Sequence, residues 1–169
     1  YSKHGSEMEV WRASQEGVPV VIVNPGIIIG NNLNNSQIQK IIKNKFNFYT
    51  SGVSGFVTVE DVVKVTMRLM EEKVINERFI LVSENIPFKD FVNYISAKNK
   101  NYSIRLHKSI LYLIWFIESF LCHLRVRNKF FSRALIKSLC SKNYYNGSKI
   151  HKYLKNFHYS EIYPYLDRC

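Results

Sequence analysis

Val20-Val21-Ile22-Val23-Asn24-Pro25-Gly26-Ile27-Ile28-Ile29-Gly30 is the stretch on which the fold turns. From Val18 to Val23 nearly every side chain is apolar and β-branched. A strand of that composition is buried on both faces, as in the interior of a parallel sheet. Pro25 has no N–H and a fixed φ, so with Gly26 it stops the strand and turns the chain sharply. In open α/β sheets ligands sit beyond the carboxyl edge of the strands. Asn24, Pro25 and the residues after them are therefore the first place to look for a site.

The elements on either side agree with that layout. Upstream, Ser2 to about Glu16 reads as a helix, with Met8, Val10 and Trp11 as apolar contacts and Gly17 as its terminating glycine. Downstream, Gly30 to Ser36 is an Asn- and Gly-rich loop, and Ser36 can cap a short helix from Gln37 to Lys43. Phe46–Tyr49 and Gly55–Thr58 are short extended pieces around a turn at Ser51-Gly52. Val59 to Glu72 is a helix. Val62, Val65 and Leu69 form one apolar row, Val63, Met67 and Met70 a second, and Glu60 and Asp61 lie in the first turn where the dipole favours acids. Asp61 has a structural role on this reading. Arg78 to Ser83 is a second buried strand, and Phe88 to Lys98 a helix opened by Pro87. Helix and strand alternate, which is the signature of an α/β layer fold.

After Asn99 the character changes. Asn99-Lys100-Asn101 is a turn, Ile110 to Leu124 is strongly apolar, and Phe130–Cys140 and Ser148–Asn156 read as shorter helices. The apolar run is too short to span a bilayer and contains Glu118. It suits a core helix with Glu118, Ser119 and His123 on its wetter side; a membrane-surface helix is the weaker reading.

Composition narrows the function. The chain has 169 residues, enough for one domain with its own core. The net charge of +11 raises a nucleic-acid surface as a question. The cations are scattered, however, and the densest groups, Lys40-x-x-Lys43-x-Lys45 and Arg125-x-Arg127-x-Lys129, are short. Compositional drift toward Lys, Asn, Ile, Tyr and Phe explains the charge, and no nucleic-acid partner is expected. Cys122, Cys140 and Cys169 are far apart and odd in number, which suits reduced thiols and a cytoplasmic protein. No His or Cys pair has zinc-ligand spacing, so no metal is expected.

The opening segment, Tyr1-Ser2-Lys3-His4-Gly5-Ser6-Glu7-Met8-Glu9-Val10-Trp11-Arg12, followed by the strand ending Asn24-Pro25, resembles the second half of the extended short-chain dehydrogenase/reductase family. That group also holds sugar-nucleotide epimerases and dehydratases. Gly55-Phe56-Val57-Thr58-Val59-Glu60-Asp61-Val62-Val63 looks like the family's segment with Val-x-Asp-Val at a helix start. In the family a helix carries Tyr-x-x-x-Lys, and the next strand ends in a Pro beside the nicotinamide. Lys3 fits the lysine. The matching tyrosine is then expected two positions before Tyr1, so the chain is expected to be a fragment, inactive alone, that begins just past its catalytic acid.

The resemblance implies a fold and a chemistry. The fold is α/β: the C-terminal half of a Rossmann-type doubly wound parallel sheet over residues 1–99, with a mainly helical substrate-covering region over 100–169. The cofactor is NAD or NADP and the substrate a small molecule. Lys3 is the expected catalytic residue. Lys3, Pro25, Gly26 and Ile28 are the expected cofactor contacts, the last three around the nicotinamide. A lysine ammonium one helical turn from a tyrosine lowers the phenol's pKa for proton transfer and can bond the ribose hydroxyls. The family's Gly-x-x-Gly-x-x-Gly turn is absent from this sequence; Gly26-x-x-x-Gly30 has the wrong spacing. A carbonyl or alcohol oxidoreductase is favoured by Val-Ile-Val-Asn-Pro. The alternatives are a sugar-nucleotide epimerase or dehydratase, or a non-catalytic membrane-associated protein with this fold.

Overall fold

The computed structural model describes residues 2–30, 41–123 and 132–168. Tyr1, the loop after Gly30, the Ser36 cap, Arg125, Arg127, Lys129 and Cys169 lie outside the described residues. The helix expected to end at Lys43 is described only over 41–43.

Contacts divide the chain into two units, each assembled from separate segments: residues 1–31, 55–84 and 145–169, and residues 32–54 and 85–144. Strand β4 (Val53–Thr58) and strand β6 (Glu84–Pro87) each run across a boundary. Residues 145–169, which the sequence groups with the helical tail, pack with the strands of the first unit.

The first unit begins with helix α1 (Ser2–Gln15), strand β1 (Val21–Pro25) and strand β2 (Ile27–Ile29). Gly17 closes α1 at φ +95°, the left-handed conformation that glycine adopts without strain. β1 pairs in parallel with β5 (Glu77–Leu81), and β2 in parallel with β4. The parallel α/β pattern expected of the strand runs is therefore present. β5 is the more buried of the two strands, with Phe79 and Leu81 fully buried. β1 differs from expectation: it starts at Val21, Val18 is half-exposed, and no residue of β1 is fully buried. It has one strand neighbour, β5, among the described residues.

Helix α2 (Val59–Glu71) starts where Thr58 Oγ1 accepts the Asp61 amide at 3.1 Å. Its first apolar row packs inward, with Val65 and Leu69 fully buried. The second row, Val63, Met67 and Met70, is exposed. The core is closed from the far end of the chain: Ile150, Leu154 and Phe157 pack against Val57, Val65, Phe79 and Leu81. Ile150 lies in a 3-10 turn (Ser148–Lys152), shorter than the expected helix, and helix α6 (Ile162–Arg168) follows.

The second unit pairs β3 (Phe46–Tyr49) in parallel with β7 (Tyr102–Arg105), and helix α3 (Phe88–Lys98) packs on both. Buried Asn47 ties them, its amide donating to Ile41 O (2.8 Å) and Ser96 Oγ (3.0 Å). Helix α4 (Lys108–His123) packs against helix α5 (Arg133–Cys140), and the Arg133 guanidinium lies 4.3 Å from the Trp115 ring.

α4 corrects the core-helix reading. Leu111 is buried, but Ile110, Leu113, Phe116, Ile117 and Phe120 are exposed, while Glu118 and Ser119 lie on the more sheltered side. The sheltered face carries Leu111, Ile114 and Trp115, and the remaining large apolar side chains among the described residues point away from it. No helix among the described residues is long and apolar enough to cross a membrane.

Candidate functional site

The C-terminal end of α1 lies by the start of the β1–β5 pair: Ser14 Oγ donates to Asn76 Oδ1 at 2.7 Å, and the Asn76 amide donates to Val20 O. A charge cluster fixes the two elements together. Glu7 of α1 pairs with Arg78 of β5 at 2.8 Å. With its amide oxygen turned toward Arg78, Asn24 accepts from the same guanidinium at 2.8 and 3.1 Å. Asn24 and Arg78 lie on neighbouring strands, where Ile22 is the residue opposite Arg78. Glu7 is one helical turn from Lys3, on the same face.

Each site residue expected from the sequence can be placed. Lys3 is exposed in the first turn of α1, and no carboxylate pairs with it among the described residues. Pro25 is exposed at the end of β1. Gly26 is half-buried, and its amide donates to Leu81 O at 3.0 Å. A Cβ there would collide with Gly55 O and approach Val82 Cγ2 to 3.1 Å, so the position admits glycine alone. Ile28 is exposed in β2 and opposite Val57. Pro25, Ile27 and Ile28 thus form an exposed apolar ledge just past the strand end.

Sequence reading missed Arg78, although a cation at the head of the run Phe79-Ile80-Leu81 was the available signal. It also missed what Asp61 does. Asp61 is buried and accepts from Ser160 twice, from the amide at 2.8 Å and from Oγ at 3.0 Å. A helix-start acid has become a clasp for residues near the C-terminus. Beside it, burial and then the Asp61 charge push the Tyr159 phenol up to about 12. A third cluster joins β5 to the 3-10 turn. Glu77 accepts from Lys149 at 2.6 Å and from Tyr153, which hold its carboxyl below the usual range and push the Tyr153 phenol above its own.

No protein-family model matches the chain. In sequence it is similar to tetraketide alpha-pyrone reductase 2 of Arabidopsis thaliana, 30% identical over 109 residues, which cover 60% of this chain and 34% of the reductase. In structure it is similar to gox2253, with a TM-score of 0.69 at 23% identity over 92% of this chain and 50% of the other. It is also similar to PA4631, a nucleoside-diphosphate-sugar epimerase of Pseudomonas aeruginosa, with a TM-score of 0.69 at 16% identity over 98% and 51%. The chain thus spans about a third of the reductase and about half of each of these two structures. Further proteins of the same fold were solved with NADPH or NAD+ bound, among them WbmH of Bordetella bronchiseptica with NAD+ (TM-score 0.58). The chain is thus similar in sequence to a reductase, and it shares its fold with an epimerase structure and with proteins solved with NAD+ or NADPH, in each case over part of their length.

Proposed function

We propose that this chain is the C-terminal part of an NAD(P)-dependent oxidoreductase that interconverts a carbonyl and an alcohol. The single observation that carries the reading is the Glu7–Arg78–Asn24 cluster, which ties the helix one turn after Lys3 to the residue before Pro25. The similarity to a reductase is consistent with it.

The residues present fit the nicotinamide end of a dinucleotide. An exposed ammonium without a carboxylate partner among the described residues suits a ribose diol, and the ledge of Pro25, Ile27 and Ile28 suits a flat ring. When bound, the nicotinamide would accept or donate hydride. Lys3 would bond the ribose hydroxyls and, with its positive charge, lower the pKa of a tyrosine one turn upstream on α1, four residues before it. That phenol would pass the proton to or from the substrate oxygen. Glu7, Arg78 and Asn24 would hold the helix in register with the strand end, and Pro25, Gly26 and Ile28 would shape the ring's seat. The 169 residues alone are expected to be inactive, and a cytoplasmic location follows from this reading. A sugar-nucleotide epimerase or dehydratase is the second reading, favoured by the fold shared with PA4631.

Two measurements test the proposal. The coding sequence upstream of Tyr1 is expected to place tyrosine two positions before it; any other residue there removes the proton-transfer step. In the whole protein, Lys3→Met is expected to lower turnover about 10²–10⁴-fold with an unchanged melting temperature. Near-normal turnover would overturn the role of Lys3.

A further inference from the structure

The net charge of +11 is concentrated in one segment. Between Lys98 and Lys142 the sequence carries ten lysines and arginines and a single acid, Glu118, so +9 of the charge falls there. The rest of the chain is close to balance, with 14 cations against 12 acids. Compositional drift would spread the excess evenly, and so does not account for it. The whole segment belongs to the second unit. Seven of its ten cations are among the described residues, and each of those is exposed.

The same segment holds the uncovered face of α4. Ile110, Leu113, Phe116, Ile117 and Phe120 are between 45% and 64% exposed. They recur at steps of one, three and four residues, so they share one helix face, and no charge stands among them. Glu118 is turned to the more sheltered side. Cations flank the helix. Lys108 opens it, with its ammonium 5.9 Å from the centre of the Tyr112 ring. Arg133 of α5 lies 4.3 Å from the centre of the Trp115 ring. The 16 residues of α4 make a rod, about 24 Å long at 1.5 Å per residue. Crossing a bilayer takes about 20 apolar residues. A helix with one broad apolar face and cations beside it lies in the plane of a membrane surface instead.

Charge decides between the occupants of this face. Two copies meeting through it would bring two segments of +9 together, and like charges repel. An anionic bilayer attracts the same segment and takes up the apolar side chains at its acyl boundary. Lysine and arginine stems can lie along that boundary with their charges at the headgroups. We propose that α4 docks this protein on an anionic lipid surface, with Phe116 and Phe120 entering the acyl boundary and Lys108 and Arg133 at the lipid phosphates. The inference concerns the second unit by itself and does not rest on the role given to Lys3.

The test is vesicle flotation of the whole protein. One set of vesicles is phosphatidylcholine and phosphatidylserine in equal parts, the other phosphatidylcholine alone. The wild type is compared with Phe116→Ser/Phe120→Ser and with a control, Met67→Ser/Met70→Ser, which removes equally exposed apolar side chains from α2. The wild type is expected to partition into the anionic vesicles about tenfold or more above the neutral ones. The α4 variant is expected to lower that partition about tenfold or more, and the control less than about twofold. Equal partition into both kinds of vesicle overturns the proposal, as does equal loss in both variants. No vesicle binding also overturns it, and is the result expected if another part of the protein covers the face. Light scattering without vesicles gives the mass of each variant; a dimer lost in the α4 variant, with no vesicle binding, would assign the face to a second copy and overturn the lipid reading. A further variant, Lys108→Gln/Arg133→Gln, keeps the apolar face. It is expected to lower anionic partition severalfold at an unchanged melting temperature and leave neutral partition unchanged; unaltered anionic partition overturns the part given to these cations.

Discussion

The Arg78 guanidinium meets the Glu7 carboxylate at 2.8 Å, and so ties the second buried strand to the helix that carries Lys3. The pair is part of a chain of contacts, since Asn24 accepts from the same guanidinium. Arg78→Met would release both. With Arg78 half-exposed, the stability lost should be about 1 kcal/mol or less. Catalysis should suffer more, because small misplacements of a catalytic group cost about 10²-fold. In the whole protein, turnover is expected to fall at least tenfold while the melting temperature moves by a few degrees. Unchanged turnover would show that α1 is positioned without Arg78.

Asp61 and Ser160 make the opposite case, in which stability carries the effect. Asp61→Ala would leave the half-buried Ser160 amide and hydroxyl without their acceptor, at a cost of about 2 kcal/mol. Ser160→Ala removes the hydroxyl but keeps the amide bond, and should cost about 1 kcal/mol. Urea unfolding midpoints measure both. Equal costs would mean that the amide contributes nothing.

Tyr159 should shape the alkaline limb of the stability curve. Its folded pKa, about 12, lies above the ordinary tyrosine value of 10.0, because burial and the Asp61 charge disfavour the phenolate. A raised folded pKa means stability that is complete below about pH 10 and is lost as pH rises toward about 12. Tyr159→Phe should remove that component. The loss of stability of the wild type between pH 9.5 and 11.5, followed by denaturant unfolding, is therefore expected to be steeper than that of the variant. Parallel curves would refute the assignment.

Association is the expected behaviour of the isolated 169 residues. β1 has a strand neighbour on one edge among the described residues, and α2 exposes Val63, Met67 and Met70. An unpaired edge beside an apolar row invites pairing between copies. Size-exclusion chromatography should show species larger than the 19.9 kDa monomer, and titration with NADH or NADPH should give no saturable binding at micromolar concentration. A monodisperse monomer that binds either cofactor would contradict both halves.

The parts legible in the sequence were those governed by local pattern. The alternation that placed β5 and α3, the helix start at Val59 and the terminating Gly17 are all readable from neighbouring residues. β6, β7 and α6 were not read, because short strands and a short C-terminal helix take their form from distant partners. The site divides the same way. Lys3 and Pro25 stand in motifs, whereas the bond from Arg78 to Glu7 joins residues far apart in sequence. α4 misled because hydrophobicity reports what a side chain prefers, not whether the described protein supplies something to cover it.

The route of the chain through its two units has a consequence for synthesis on the ribosome. The second unit is complete once Tyr144 has been made, but the core of the first still waits for Ile150, Leu154 and Phe157. At about 5–20 residues per second, the buried faces of β5 and α2 stay uncovered for seconds after their own translation. Chaperones that hold apolar nascent segments would therefore meet β5 and α2 before the C-terminal residues can cover them.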